Sequence, residues 1–183
     1  MRSVAYAVLV GLLGAAFLHI VIVLSLPRLT GRDAYTQVQS FGELNRFIPL
    51  ADAASRAAPL ANDDPDIKAA VCAFSLDEFP VRLFARGDVP FWSLAIFDSA
   101  SNEVFSMNDR TAVNGMLDVL VATPIQLTAI RKALPEDLSQ SILVEMPDDE
   151  GYAVLRTFIP SQSQEPAGRT FLSESACEDF DGR

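Results

Sequence analysis

The sequence predicts an α+β protein: a mostly antiparallel, sandwich-like β-domain with one or two packed helices, preceded by a single transmembrane helix. An uncharged apolar run near the N-terminus predicts the membrane helix. Short alternating or continuous apolar segments, bounded by turn residues, predict the strands. Because helical segments do not alternate with these strands, an antiparallel arrangement is favoured over a βαβ array. We therefore divide the 183 residues into an N-terminal anchor, 1–27, and a β-rich domain, 28–183.

The anchor prediction rests on the run from Ser3 to Leu26, which carries no formal charge and is followed by Pro27 and Arg28. About 20 apolar residues cross a bilayer core as a helix, whereas the apolar region of a cleaved signal peptide has about 7–15. The run therefore predicts an uncleaved signal anchor. Its very short N-terminal tail is typical of proteins whose N-terminus stays in the cytoplasm while the following domain lies outside.

Small residues recur at every fourth position of this run, at Ser3, Ala7, Gly11 and Ala15, and the next position on the same stripe is His19. Such a stripe lets a second helix approach closely, and a polar ring in hydrocarbon usually faces protein or water. We therefore expect a contact with a partner membrane helix through Ala7, Gly11, Ala15 and His19. The alternative is that Gly and Ala are simply common in membrane helices and that His19 lies near the membrane surface.

The domain begins with a polar juncture over 28–32 and a predicted helix over 33–41, with Asp33 as its N-cap and Gly42 as its stop. Residues 51–66, rich in Ala, Pro and Asp, predict an irregular loop. After a short extended piece over 46–50, seven strands are predicted over 69–76, 80–86, 91–97, 104–107, 117–122, 141–146 and 152–159. The turn residues of 147–151 predict a hairpin that joins the last two strands.

Two helices are predicted in the second half of the domain. Thr123 as N-cap, Pro124 at the first helical position and Gln126 at the third form a capping box, and Pro135 ends this helix. A second, short helix is predicted over 169–180, and it carries Cys177.

Composition excludes several classes of function. The formal net charge is −10, and an acidic chain without a basic stripe cannot neutralise nucleic-acid phosphates. The single histidine, His19, lies in the apolar run, so the domain has none for a catalytic triad or a zinc site. No cofactor or metal is therefore expected. The acidic groups at 62–66 and 148–150 do not match a calcium-binding EF-hand loop and are interpreted as solvated turns.

Two segments of the chain resemble a known family. FWSLAIFD at 91–98 and FSMNDR at 105–110 are similar to a signature of bacterial proteins classed only as domains of unknown function 1254 and 1214. With its apolar N-terminus and late Ala176-Cys177, the chain resembles the short, membrane-anchored alphaproteobacterial members of this group. The resemblance covers most of the chain and implies a β-rich, sandwich-like fold and a location in the cell envelope. Together with the predicted signal anchor, this location predicts an inner-membrane anchor and a periplasmic domain. It implies no activity, so no catalytic residue is carried over.

The two cysteines predict a disulfide. Outside the cytoplasm a pair of cysteines is usually oxidised, so Cys72 and Cys177 are expected to join. The alternative is two free, buried thiols.

A ligand-binding site is a further hypothesis. Asn108, Asp109 and Arg110 follow a predicted strand and offer polar groups, while Trp92 and Phe105 offer an apolar wall. The alternative is a turn in which Asn108 and Asp109 cap backbone groups and Arg110 pairs with a carboxylate. In that case Trp92 belongs to the core, with its N–H bonded.

The function predicted from these features is that of an accessory or interaction subunit of an envelope complex, without catalysis. The partners expected are the lipid bilayer and a membrane protein bound through the transmembrane helix. One alternative is a membrane-tethered binding module for a glycan or lipid. The other is a hydrolase that uses two carboxylates, since the chain holds 24 acidic residues and no recognisable nucleophile motif.

Overall fold

The computed structural model describes residues 2–50, 64 and 66–182, with the backbone alone over 27–33. Most of the predicted loop over 51–66, and with it most of the acidic group at 62–66, lies outside the described residues. The described elements are, in chain order, α1 Arg2–Ser40, β1 Ile48–Pro49, β2 Ile67–Ser75, β3 Val81–Ala85, β4 Trp92–Asp98, β5 Glu103–Asn108, β6 Leu117–Ala122, α2 Pro124–Lys132, β7 Ile142–Glu145, β8 Glu150–Phe158, α3 Glu165–Ser173 and β9 Ala176–Asp179.

The strands form two sheets that share one core. The first sheet has the order β1-β2-β8-β4-β5 and is antiparallel throughout. The second has the order β7-β6-β3-β9, and only its β6–β7 pair is parallel. Phe74 and Leu155 of the first sheet lie in the same buried cluster as Leu83 and Val119 of the second. The α+β prediction is confirmed, and a core shared by two sheets is what a sandwich-like arrangement requires.

Helix α1 is longer than predicted. Its backbone is helical from Arg2 to Ser40, so the polar juncture over 28–32 and the N-cap at Asp33 are wrong. Pro27 removes one hydrogen bond inside the helix. The helix continues nevertheless, because packing against a sheet rather than local propensity stabilises most helices in proteins. That packing is described next.

The last turns of α1 pack on the outer face of the first sheet. Tyr35 and Val38, together with Phe41 just beyond the helix, are buried against Val71 of β2 and Tyr152 of β8. These three side chains recur at helical spacing, which confirms the predicted helical character of 33–41. This second cluster shares no buried residue with the main core.

The first part of α1 has a different character. Within Arg2–Leu26 an 18-residue window has a mean hydropathy of 2.7, and none of its residues is buried. Within the described residues this is the one helix long and apolar enough to cross a bilayer core.

Several local predictions are confirmed. In β3, Val81, Leu83 and Ala85 face the core, as their alternation predicts. Strand β6 has the predicted bounds, Leu117–Ala122. Helix α2 begins with the full capping box, in which Thr123 and Gln126 each accept a hydrogen bond from the other's backbone N–H.

The predicted hairpin over 147–151 is wrong. β7 lies in the second sheet, where it pairs with β6 in parallel, while β8 lies in the first sheet between β2 and β4. The reason is that α2 serves as the crossover of a β6-α2-β7 unit, which a parallel pair requires. Residues 147–151 therefore pass between the sheets. A Cβ at Gly151 would lie 2.5 Å from the Phe97 carbonyl oxygen and 2.8 Å from the Phe74 ring, so only glycine fits there.

The C-terminal helix is also shorter than predicted. α3 ends at Ser173, and Cys177 lies on strand β9, opposite Leu83 of β3. The edge of the second sheet accepts these residues as a strand, which places Cys177 in the core between the sheets.

Candidate functional site

The predicted disulfide is present and joins the two sheets. Cys72 of β2 and Cys177 of β9 are bonded with a Cα–Cα distance of 6.6 Å, and both are buried. The bond closes a loop with a sequence separation of 105 residues. It therefore ties the last strand of the chain to the first long strand, across the core.

The predicted membrane-interface residues lie on an exposed side of α1. Ala7, Gly11, Ala15 and His19 are all exposed along the helix. A Cβ placed on Gly11 would meet no atom within 4 Å, so the helix has free space at this position. No residue of Arg2–Leu26 is buried, so exposure does not distinguish this stripe from the rest of the helix. What distinguishes it is the small size of Ala7, Gly11 and Ala15, which close approach of a second helix requires.

The residues 108–111 form a turn that Asn108 stabilises. Its side-chain oxygen accepts hydrogen bonds from the Arg110 backbone N–H at 3.0 Å and from the Thr111 backbone N–H at 3.3 Å. The Thr111 hydroxyl donates to the Asn108 carbonyl at 3.0 Å. The amide of Asn108 is thus occupied within the turn, as the turn alternative predicts.

The other proposed ligand residues differ in burial. Trp92 is 2% exposed, and its indole N–H donates to the Gly115 carbonyl at 3.1 Å. Asp109 lies beside it, because the Asp109 backbone N–H donates to the Trp92 carbonyl at 3.2 Å. Phe105 packs against the main core, while Arg110 is exposed. One carboxylate oxygen of Asp109 is buried and has no hydrogen-bond partner among the described residues.

A tight turn positions the acceptor for Trp92. Asn114 has φ of 55° and Gly115 has φ of 70°, the left-handed region that an Asn-Gly pair adopts at low cost. The turn directs the Gly115 carbonyl towards the indole. The Asn-Gly turn therefore supplies the acceptor for a core side chain.

Arg82 and Asp118 form a bidentate ion pair on the outer face of the second sheet. Arg82 donates from Nε to Oδ1 at 2.9 Å and from Nη2 to Oδ2 at 2.8 Å. The hydrogen bonds that Arg82 donates to Asp118 raise the pKa of Arg82 above its ordinary value. A depression of about 30 Å³ lies beside Asp118 and has room for about one water molecule.

One end of the domain carries a concentration of acidic side chains, called here the acidic end and defined by Asp77, Glu78, Asp148, Asp149 and Glu150. It forms where β2 ends and β8 begins, because the Leu76 backbone N–H donates to the Asp149 carbonyl at 2.7 Å. All five side chains are exposed. Within the described part of the chain, both ion pairs lie elsewhere.

Tyr35 of α1 faces the acidic end. It is 7% exposed, and its phenolic oxygen is buried. Glu150 is the carboxylate that acts on it most strongly, yet no hydrogen bond of ordinary length and angle joins the two. Burial raises the pKa of Tyr35 to about 12, and the charges of Glu150, Asp149 and Asp77 add to the rise.

Tyr35 was not among the predicted site residues. The spacing of Tyr35, Val38 and Phe41 is a signal for burial of one helix face. It does not show which acidic residues the phenol meets, because that depends on the pairing of β2 with β8.

Comparison with known proteins shows a shared fold. No family model and no curated protein matches the chain. The solved structure of the VPA0106 protein from Vibrio parahaemolyticus is similar, with a TM-score of 0.59 and 13% identity over 84% of this chain and 37% of that one. An uncharacterised protein from Burkholderia cenocepacia gives a TM-score of 0.45 and 16% identity over 66% of this chain and 33% of that one, a likeness that carries no argument. The chain thus spans just over a third of the VPA0106 structure.

The fold and the exposed helix define the class: a two-sheet α+β domain with an apolar N-terminal helix. Within that class, the particular likeness is to the fold of the VPA0106 protein. Membership of the domain of unknown function 1254 and 1214 group stays a prediction.

Proposed function

We propose that the protein is a single-pass protein of the bacterial inner membrane whose periplasmic β-rich domain acts as an accessory or interaction subunit of an envelope complex. The observation that carries this proposal is the continuity of α1. One helix begins with an exposed apolar stretch, Arg2–Leu26, and ends packed on a sheet through Tyr35 and Val38. An apolar surface of this size needs a bilayer or a protein around it.

The disulfide supports a periplasmic location of the domain. Cys72 and Cys177 are bonded, and such bonds persist in oxidising compartments such as the periplasm. The N-terminus then lies in the cytoplasm. The exposed stripe of Ala7, Gly11, Ala15 and His19 is the surface that would contact a partner span.

Location is tested with the full chain in a Gram-negative host. We expect the chain to remain in the membrane pellet after an alkaline carbonate wash. We also expect its thiols to react with maleimide only after reduction. A chain that the wash releases, or whose thiols react without reductant, would contradict the location.

The interaction role is tested by substitution on α1. The variant Gly11→Leu/Ala15→Leu fills the stripe. The control Ala5→Leu/Ala16→Leu adds one carbon less bulk on another side, because residues are 100° apart around a helix. After gentle detergent extraction and cross-linking, we expect the first variant to lose a protein that the wild type and the second variant retain. Equal recovery of this protein with the wild type and both variants would contradict the proposed contact.

A further inference from the structure

The acidic end lies close to the point where α1 leaves its apolar stretch. Tyr35 follows Leu26 by nine residues of unbroken helix, which is about 14 Å along the helix axis. The headgroup layer on each side of a bilayer core is about 5–8 Å thick. Given the proposed function, Tyr35 and the carboxylates that surround it therefore stand just outside the headgroups.

Among the described side chains, no ion pair offsets the charge of this end. Its five carboxylates, Asp77, Glu78, Asp148, Asp149 and Glu150, are exposed, and the described ion pairs, Arg82–Asp118 and Arg169–Glu165, lie elsewhere. Negative charge at this height repels anionic lipid headgroups and attracts basic groups. A basic segment of another membrane protein would meet this charge as it leaves the bilayer.

Tyr35 provides a second, independent observation. Its phenolic oxygen is buried, lacks a hydrogen bond of ordinary geometry and faces Glu150, Asp149 and Asp77. A polar group buried without a partner is unfavourable. An ammonium or guanidinium group that enters between the carboxylates would pair with them and, once the side chains that cover it move aside, would donate to the phenolic oxygen as well.

Apolar side chains accompany the acids. Ile125 is 83% exposed at the start of α2, and Phe79 is 41% exposed in the turn after β2. Gln126 holds these two segments together, because its side chain donates to the Leu76 carbonyl at 2.8 Å. A segment that binds here would therefore combine basic with apolar residues.

We propose that the acidic end docks a basic juxtamembrane segment, rich in arginine or lysine with interspersed apolar residues, that flanks the span of a partner membrane protein. This inference rests on the proposed function. Opposite charge favours this occupant, since complementary potentials guide association and fix the register of partners.

The test uses the full chain in nanodiscs of phosphatidylcholine, which has no net charge. The probe is a fluorescein-labelled peptide of alternating arginine and leucine, with a glutamine-leucine peptide as its neutral control, and binding is measured by fluorescence anisotropy. The test variant is Asp77→Asn/Asp149→Asn/Glu150→Gln. The matched control, Asp88→Asn/Glu136→Gln/Glu174→Gln, removes the same charge from exposed positions elsewhere. Tyr35→Phe removes only the phenolic hydroxyl.

We expect the test variant to bind the arginine peptide about tenfold more weakly, and the matched control to change binding by less than about twofold. We expect Tyr35→Phe to weaken binding about threefold. Equal losses in both triple variants would indicate long-range attraction alone and would overturn the inference, as would unchanged binding by Tyr35→Phe. A chain that does not enter nanodiscs contradicts the proposed function, whereas a chain that enters them and shows no difference between variants contradicts this inference alone.

Discussion

Reduction of the Cys72–Cys177 disulfide is expected to lower the stability of the domain strongly. The bond joins residues separated by 105 positions. In the chain-entropy model, closing a loop of this length restricts the unfolded state by about 4.8 kcal/mol at 25 °C. This value is an upper limit, because residual structure in the unfolded chain lowers the gain, and we expect a loss of about 2–5 kcal/mol.

The measurement is urea unfolding in a non-ionic detergent, followed by the fluorescence of Trp92, the single tryptophan of the chain. The oxidised chain is compared with the same chain reduced in urea and refolded, because this comparison changes no side chain. With a slope of about 2 kcal/mol per molar urea, the full loss shifts the midpoint by about 2.4 M.

The control is the variant Cys72→Ala/Cys177→Ala, whose midpoint must not respond to reductant. It is expected to unfold at or below the midpoint of the reduced wild type, since alanine also removes buried sulfur atoms. If oxidised and reduced wild-type chains unfold within about 0.3 M of each other, the bond does not restrict the unfolded chain as argued.

Three further predictions concern single residues. Trp92→Phe removes the hydrogen bond to the Gly115 carbonyl and shortens a side chain that is 2% exposed, so urea unfolding followed by circular dichroism should show a loss of about 1–3 kcal/mol. Gly151→Ala places a Cβ 2.5 Å from the Phe97 carbonyl oxygen, and a loss of about 1–3 kcal/mol in the same assay is expected; a neutral result would refute the close packing there. The pKa of Tyr35 is raised from 10.0 to about 12, so the folded state favours the neutral phenol. The stability that this provides is complete below pH 10 and is lost as the pH rises from 10 to 12. The free energy of unfolding of Tyr35→Phe should therefore fall less than that of the wild type across this pH range.

Features set by neighbours in sequence were predictable. The capping box of α2 depends on Thr123, Pro124 and Gln126, which lie within one helical turn. The alternation of Val81, Leu83 and Ala85 shows directly which face of β3 is buried. In each case the interaction partners lie within a few residues, so a local pattern contains the information.

Features set by distant pairing were not predictable. β7 and β8 follow each other across a turn, and only the crossover through α2 assigns β7 to the other sheet. Helix α1 continues past Pro27 because Tyr35 and Val38 find an apolar sheet face, which no local signal in 28–32 reveals.

The proposed ligand residues illustrate the same limit within one strand. β4 is apolar on both faces, so its composition does not show whether Trp92 points to the main core or to the opposite face of the sheet. In the structure Trp92, Leu94 and Ile96 face the main core, while Phe97 lies on the side covered by α1. A register shift between Ile96 and Phe97 alters the pairing with β5 at that point. The alternation of side chains along β4 therefore places Trp92 in the core.

The separation of the two apolar clusters has a physical consequence for the role of α1. In β2, Val71 and Ala73 face α1, while Cys72 between them faces the main core and carries the disulfide. Successive side chains of a strand point to opposite faces, so the helix and the covalent bond hold the same three residues from opposite sides. A displacement of α1 would thus act first on β2. Because the disulfide joins β2 to β9 of the second sheet, such a displacement would be carried to both sheets.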